Sequence, residues 1–252
     1  MPSSGTRSCS RSSSATESAP PETATIAVPA FGNNRARLTC RRRRSANGLA
    51  IYYSMLSPDQ TYQLLRALTS PIVAVTSAQN GKRNGMILDS AIRASIVPTV
   101  PRVSVYVHKF NFSHDMIFQT GRFGLHLLHT GQFDLIHRLG FFSGRDRDKL
   151  ADVPHHLGTL GVPVLDDCHA HFECVVANVM DTGSSTCFLG DVQAVGFGAA
   201  TVPRGEVMTA AYFRAHMPPD WRPTYEAQLK RAQQFAEQRS REIKPVWRGP
   251  TV

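Results

Sequence analysis

The chain has 252 residues, of which 42% are hydrophobic and 19% charged, and a formal net charge of +9. That length suits one sizeable core with tails, and the balance excludes a polypeptide that is disordered or fibrous throughout. The positive charge does not mark a nucleic-acid surface: eight arginines against Glu17 and Glu22 put +6 of it into residues 1–54, leaving +3 on the other 198.

Residues 1–50 are rich in Ser, Pro, Thr, Ala and Arg and lack helical or strand periodicity. Too little apolar surface is available there to offset ordering entropy, so the expectation is a disordered tail over 1–54. A targeting peptide, a nucleic-acid-binding arm at Arg41–Arg44 and no function at all compete for this segment; the last is the reading adopted. Met55 opens a stretch of globular character, and natural translation is expected to begin there. Five cysteines without a CxxC argue against a disulfide framework or a zinc knuckle and fit a reducing cytoplasm. The sequence has no apolar run of about 18 residues and no secretory core, so neither a membrane nor a nucleic-acid partner is expected.

Readable pattern begins at Ser57. Pro58 at a first helical position, with Tyr62, Leu65 and Leu68 on one face, predicts a short leading helix. The β-rich run Pro71–Ser77 leads to Gln79-Asn80-Gly81, a hairpin turn, and a second extended stretch starts at Asn84. Valines at alternate positions predict a strand over Val103–Val107. Ser113 is placed as the cap of a helix reaching Thr120, followed by a strand at Phe123–Leu128 and helical spacing over Gly131–Phe141. A charged loop, Ser143–Lys149, precedes two longer strands, Ala170–Val179 and Cys187–Val195, joined at Asp181-Thr-Gly-Ser-Ser. After Pro218-Pro219, a polar helix over Pro223–Ile243 carries Tyr225, Leu229, Ala232 and Ala236 along one stripe, for packing on the barrel or on a second subunit. Many strands with few helices predict a barrel or sandwich.

The chemistry concentrates between Pro71 and Ser113. Asn84-Gly85 allows positive φ and leaves no bulky Cβ, so a flat ligand can approach the main chain. Isoalloxazine is such a ligand, and its polar edge needs donors and acceptors at the spacing a strand backbone supplies. A plain turn is the competing reading of Asn-Gly. Lys109, Asn111 and Ser113, just ahead of a helix, offer a phosphate positive charge and amide donors, with a solvated strand end and a helix cap as the alternative. Arg145 to Lys149 read as a solvated surface, with Arg145 or Lys149 in reach of a phosphate or dinucleotide as the alternative. Cys168-His169-Ala170-His171 sets two histidines on one strand face, but no further ligand is recognisable and no metal is expected.

Pro71-Ile-Val-Ala-Val-Thr-Ser, Gly81-Lys-Arg-Asn-Gly-Met and the Ser95-containing stretch ending at Pro98 and Pro101 resemble, in this order, the FMN-binding segment of the flavin reductase family. Gly121-Arg-Phe followed by an apolar strand, Gln132, the Phe142–Leu150 loop, Gly161-Val-Pro, Glu173-Cys174 and Phe188-Leu-Gly-Asp-Val are similar to later parts of that family's pattern. The resemblance covers about Leu64 to Val195. It implies a mainly β fold with helices, a single-domain FMN-binding split β-barrel over 55–200, and a C-terminal helical extension over 201–252. It also implies that Asn84, Gly85, Met86, Ile87 and Leu88 line the isoalloxazine through backbone groups. Ser90, Ser95, Ile96 and Val97 then complete ring and ribityl contacts, and Lys109, Asn111 and Ser113 hold the phosphate.

Two departures stand out: Ile87 and Asp89 replace small hydroxyl residues, and Gly183-Ser184-Ser185 replaces the family's Gly-Asp-His turn, whose histidine is linked to nicotinamide binding. The function implied is an FMN oxidoreductase that takes hydride from NAD(P)H and passes electrons to free flavin, a partner oxygenase or another acceptor. No acid–base side chain is assigned a catalytic role. A flavin-binding electron carrier without nicotinamide reductase activity is the alternative, and a split-barrel protein for heme or a deazaflavin is a third reading. A homodimer is expected, since a split barrel leaves apolar sheet exposed.

Overall fold

The computed structural model describes residues 71–198 and 206–240, together with 40–44, 50–54, 62, 64, 65, 68, 242 and 243. The chain divides into two units, residues 1–57 and 58–252. In the first, β1 (Cys40–Arg44) and β2 (Ala50–Ser54) pair antiparallel, with Arg42 opposite Tyr52. These ten residues lie within the tail for which disorder is expected from sequence, and Ile51, Tyr52 and Tyr53 among them are β-favouring types. The rest of that tail and the expected start at Met55 lie outside the described residues. Of the leading helix, residues 62, 64 and 65 are helical.

The second unit runs β3 (Val73–Gln79), β4 (Lys82–Leu88), β5 (Ala91–Arg93), β6 (Arg102–His108), α1 (Phe112–Thr120), β7 (Arg122–Leu127) and α2 (Phe133–Gly140). It continues through β8 (His155–Leu157), β9 (Pro163–Leu165), β10 (Ala170–Asp181), β11 (Ser185–Gly196), α3 (Ala210–His216), a 3₁₀ turn (Pro219–Trp221) and α4 (Arg222–Ser240). Seven strands form one antiparallel sheet in the order β4-β3-β7-β10-β11-β6-β5, and β8 pairs with β9. β4 and β5 are consecutive in sequence yet form the two outer edges, so Asp89 and Ser90 bridge the margins of a curled sheet. The result is the split half-barrel that the pattern predicts.

Strand alternation sends residues to two cores. Val73, Val75, Met86, Val105, Val107, Phe123, Leu125, Cys174 and Phe188 fill one, into which Ile117 of α1 inserts. Ala74 belongs to the other, with Ile136 and Leu139 of α2, Met208, Phe213 and Met217. Residues 206–217, assigned by sequence to an appended extension, therefore take part in the main core; Val207 bridges to His129 and Thr209 to Pro71.

The turn chemistry differs from expectation in one place. Positive φ falls at Asn80 (51°) and Gly81 (78°), in the two-residue β3–β4 hairpin. Asn84 and Gly85 instead lie within the β3–β4 ladder, opposite Ser77 and Thr76. The helix cap also shifts: Asn111, not Ser113, is the N-cap residue of α1.

Candidate functional site

β5 is an outer strand, so one row of its backbone N–H and C=O groups has no neighbouring strand in the described sheet. Its inner row is held by β6, with Ala91 opposite Val105 and Arg93 opposite Val103. Ser90 extends this pairing: its carbonyl accepts the Tyr106 N–H at 3.1 Å and its hydroxyl donates to the Tyr106 carbonyl at 3.0 Å. The sequence-predicted residue Ser90 is thus a fixed point on the open margin of the barrel.

At one end of this margin the barrel opens into a cavity of about 690 Å³, within the range of roughly 300–1,000 Å³ usual for small-molecule sites. Ser95, Ile96 and Val97 line it, facing an apolar wall that includes Val73, Leu125 and Phe172. Arg93 and Arg102 also line it, and Arg102 is paired with Asp191 at 2.6 Å. Ile96 is 83% exposed, so an apolar side chain stands in solvent at the cavity mouth.

At the other end of β6, about 20 Å away along the strand, lies the β6–α1 connector with Lys109 and Asn111. Lys109 Nζ reaches Asp181 at 2.7 Å, and that hydrogen bond, with one from the Gly183 N–H, holds the Asp181 carboxyl below its ordinary range. Asn111 makes no side-chain cap bond to α1. Lys109 also borders a smaller cavity of about 390 Å³ with His114, Phe118 and Thr186.

The predicted residues of β4 lie elsewhere. Asn84 is 2% exposed and donates through Nδ2 to Ser113 Oγ at 2.7 Å; Ser113 is fully buried. Met86 is buried in the first core, with Leu88 packed against it. A Cβ at Gly85 would lie 3.1 Å from Leu139 Cδ2, and one at Gly140 3.4 Å from Ile87. One close approach that Gly85 permits is to helix α2. The cause is tertiary: α2 and the loop after it pack on one face of this strand, while β4 and β5 are both outer strands of the sheet.

That loop is built into the fold. A Cβ at Gly144 would fall 2.1 Å from Asn84 Oδ1, so the loop backbone rests on the asparagine amide. Lys149, read from sequence as part of a solvated surface, is 4% exposed and donates to the Leu139 carbonyl at 2.7 Å. Burial, with Arg147 nearby, lowers its pKa to about 8. Arg145 donates through Nη1 to the Phe110 carbonyl at 2.9 Å.

Two imidazoles missed by the sequence reading stand at the root of the β10–β11 turn, the turn that lacks the family histidine. His108 Nδ1 and Ser185 Oγ are hydrogen-bonded at 2.9 Å, and His114 Nε2 and Thr186 Oγ1 at 2.9 Å. Burial lowers the His108 pKa, opposed by the Asp89 carboxylate. A periodicity argument cannot find them, because they reach the turn from β6 and α1. The turn itself is covered: a Cβ at Gly183 would lie 2.8 Å from the Arg239 carbonyl of α4. His169 and His171 have buried Nδ1 atoms without a hydrogen-bond partner, and no group of three or more metal-ligating side chains occurs among the described residues.

The candidate site thus joins an open strand edge, a largely apolar cavity and a connector whose Lys109 is paired with Asp181. The family model for the flavin reductase like domain matches residues 65–219. The chain is 30% identical over 151 residues to the high molecular weight rubredoxin of Moorella thermoacetica, covering 59% of this chain and 63% of that protein. It is 33% identical over 142 residues to the NADH-dependent flavin reductase StyB of Pseudomonas fluorescens, covering 55% and 78%. The crystal structure of a nitrilotriacetate monooxygenase component B homologue from Mycobacterium thermoresistibile superposes with a TM-score of 0.51 at 26% identity, covering 60% of this chain and 86% of that one. The split half-barrel, its open edge and these likenesses agree, and the chain belongs to the flavin reductase-like family.

Proposed function

We propose that this protein is an NAD(P)H-dependent flavin reductase that binds FMN and delivers electrons to an acceptor, with a partner oxygenase as one such acceptor. The observation that carries this reading is the free edge of β5, spanning from Ser90, paired with Tyr106, to the cavity at Ser95–Val97. When bound, the flavin supplies the hydride and electron chemistry. The chain's part is to hold it. Backbone groups of Ser90–Ser95 meet the polar edge of the ring, and the apolar wall of Val73, Leu125 and Phe172 excludes water from its other side. Lys109 and Asn111, at the start of α1, take the phosphate. The monooxygenase component and the NADH-dependent flavin reductase among the related proteins support the oxygenase and the nicotinamide.

The test is NADH and NADPH oxidation by the full chain with added FMN. Turnover with either supports the reading, and none with both counts against it. The covered Gly183 turn favours the alternative of a flavin-binding carrier, which predicts a yellow protein reduced by dithionite and not by either nicotinamide.

We also infer a homodimer. Ile92, Ile96, Val97, Val100 and Val195 are exposed apolar residues on and near the open edge, a surface a second copy would cover. Gel filtration at the mass of one chain would contradict this. A reducing cytoplasm suits the buried free thiols of Cys168 and Cys174, both pushed up to about 12 chiefly by burial and so unreactive. Among the described residues, no helix is long and apolar enough to cross a membrane.

A further inference from the structure

Helix α4 begins at Arg222, outside the residues 65–219 that match the family, and its two halves are held differently. In the first half, Tyr225 packs against the core and Gln228 Nε2 donates to the Phe141 carbonyl at 2.8 Å. The second half lies on the β6–α1 connector and the β10–β11 turn. There the Phe235 ring meets the Phe110 ring edge to face with centres 5.1 Å apart, and the Arg239 guanidinium stands 4.6 Å from the Phe235 centre. Beside them the helix end closes over Gly183. A Cβ at that glycine would lie 2.8 Å from the Arg239 carbonyl oxygen, 3.0 Å from Ser240 Cα and 3.1 Å from Ile243 Cγ1.

The surface beneath is one unit. Phe110 stands in the chain between Lys109 and Asn111, its ring is stacked on His108 at 5.2 Å, and its carbonyl accepts from Arg145. The Lys109 N–H donates to the Ser184 carbonyl at 3.0 Å and His108 is bonded to Ser185, so the connector and the turn are tied together. The helix end is tied less firmly. No described side chain of α4 is fully buried, and Phe235, the largest apolar residue of the second half, is only half-buried. A segment with so little buried apolar surface opens at a small part of the cost of global unfolding. The anchors at Tyr225 and Gln228, roughly 10–15 Å back along the axis, hold the first half in place while the end lifts.

We propose that the second half of α4, together with Ile243, is a strap that closes over the connector and sets the rate at which flavin enters and leaves the site. This rests on the reading that Lys109 and Asn111 hold the flavin's phosphate. With the helix end docked, Phe235 pins Phe110 between those two residues; when the end lifts, Phe110 is released and the connector loosens enough for the phosphate to pass. Phe235 acts through Phe110 and is therefore a positioning residue. Such a strap changes entry and exit alike, because it does not touch the ligand and so favours neither the bound nor the free state.

The experiment uses the full chain as wild type, Phe235→Ala, Phe235→Tyr, Ile243→Ser and the Phe235→Ala/Ile243→Ser double variant. Stopped-flow quenching of flavin fluorescence gives the association rate constant for FMN, and rapid dilution of the complex gives the dissociation rate constant. A melting curve shows that each variant is folded at the assay temperature; Ile243 is 44% exposed, so Ile243→Ser keeps the test open where Phe235→Ala destabilises the chain. Phe235→Ala is expected to raise both rate constants by about three- to tenfold, with the dissociation constant kept within about twofold. Ile243→Ser has a smaller effect in the same direction, the double variant a larger one, and Phe235→Tyr stays within about twofold of wild type. Rates unmoved in the double variant overturn the strap, as does a change in only one of the two rate constants, which would make Phe235 part of the binding surface itself. A wild type that binds no FMN overturns the flavin reading and the strap with it, so the two failures are told apart.

Discussion

Asn84 Nδ2 donates to Ser113 Oγ across 2.7 Å, tying the middle of β4 to the first turn of α1 inside the half-barrel. Both residues are almost fully buried, and Asn84 Oδ1 has no hydrogen-bond partner. Replacing Asn84 by alanine strands the serine hydroxyl but also removes the unpartnered oxygen, so the expected cost is about 1–2 kcal/mol of stability. Asn84→Asp keeps the shape and puts a carboxylate in the same place. Its cost is larger, about 3 kcal/mol, and grows between pH 4 and 7 as the acid ionises. Urea unfolding of the two variants checks this ordering, and an aspartate variant as stable as the alanine one at pH 7 would contradict it.

Gly144 and Asn84 are coupled by contact. A methyl group at 144 would fall 2.1 Å from Asn84 Oδ1 and 2.6 Å from Cγ. Gly144→Ala alone should destabilise by roughly 1–3 kcal/mol, by shifting either the amide or the loop. In the Asn84→Ala background the obstacle is gone, and the same substitution should cost under about 0.5 kcal/mol. Additive effects in this double-mutant cycle would show that the loop does not rest on the amide.

His126 is completely buried, with Nδ1 3.3 Å from the Ala74 carbonyl and Nε2 accepting the Leu165 N–H at 3.1 Å. That geometry requires the neutral ring, and burial lowers the pKa to about 3. Between the ordinary histidine value of about 6.5 and 3, the unfolded chain binds a proton that the folded chain does not. Stability from this residue is therefore complete above pH 6.5 and falls as pH drops, by up to about 1.4 kcal/mol per pH unit. His126→Gln should unfold more easily at pH 7 and show a flatter acid limb, read from unfolding midpoints between pH 7 and 4. A parallel pH dependence in the variant would argue against a buried neutral imidazole.

Lys149 acts in the opposite part of the pH range. Its folded pKa of about 8 lies below the ordinary 10.5, so the buried charge is a cost at pH 7 that is relieved as pH rises from 8 to 10.5. Lys149→Met removes the charge but leaves the Leu139 carbonyl without its donor. The variant is expected to be more stable than wild type at pH 7 by roughly 1 kcal/mol, with the difference shrinking or reversing by pH 10. Thermal melts at pH 7 and 10 measure it. A gap that widens with pH would mean that the native contact favours the ammonium.

Periodicity and turn residues carried much of the architecture. Alternating valines place β3 and β6, Asn80-Gly81 places the hairpin, and the stripe Tyr225, Leu229, Ala232, Ala236 is the half-buried face of α4. These signals are local: side-chain period and backbone conformation follow from neighbours in the chain. The short β8–β9 pair gave no comparable signal, since three-residue strands are too brief to show a period.

The site divides along the same line. Ser90, Ser95, Ile96, Val97, Lys109 and Asn111, expected from sequence as flavin contacts, lie at the open edge, the cavity or the β6–α1 connector. Asn84-Gly85 was legible as a position of close approach, but what approaches it is α2 and the Gly144 loop, decided by packing of segments about sixty residues away. His108, His114 and Arg145 come to the β10–β11 turn and the β6–α1 connector by the curl of the sheet and the path of one loop. The sequence by itself determined the longer strands of the main sheet and the family they build. Only the tertiary structure decided which backbone stays open and which cations face it, because solvent access is a property of the assembled layers and not of any one segment.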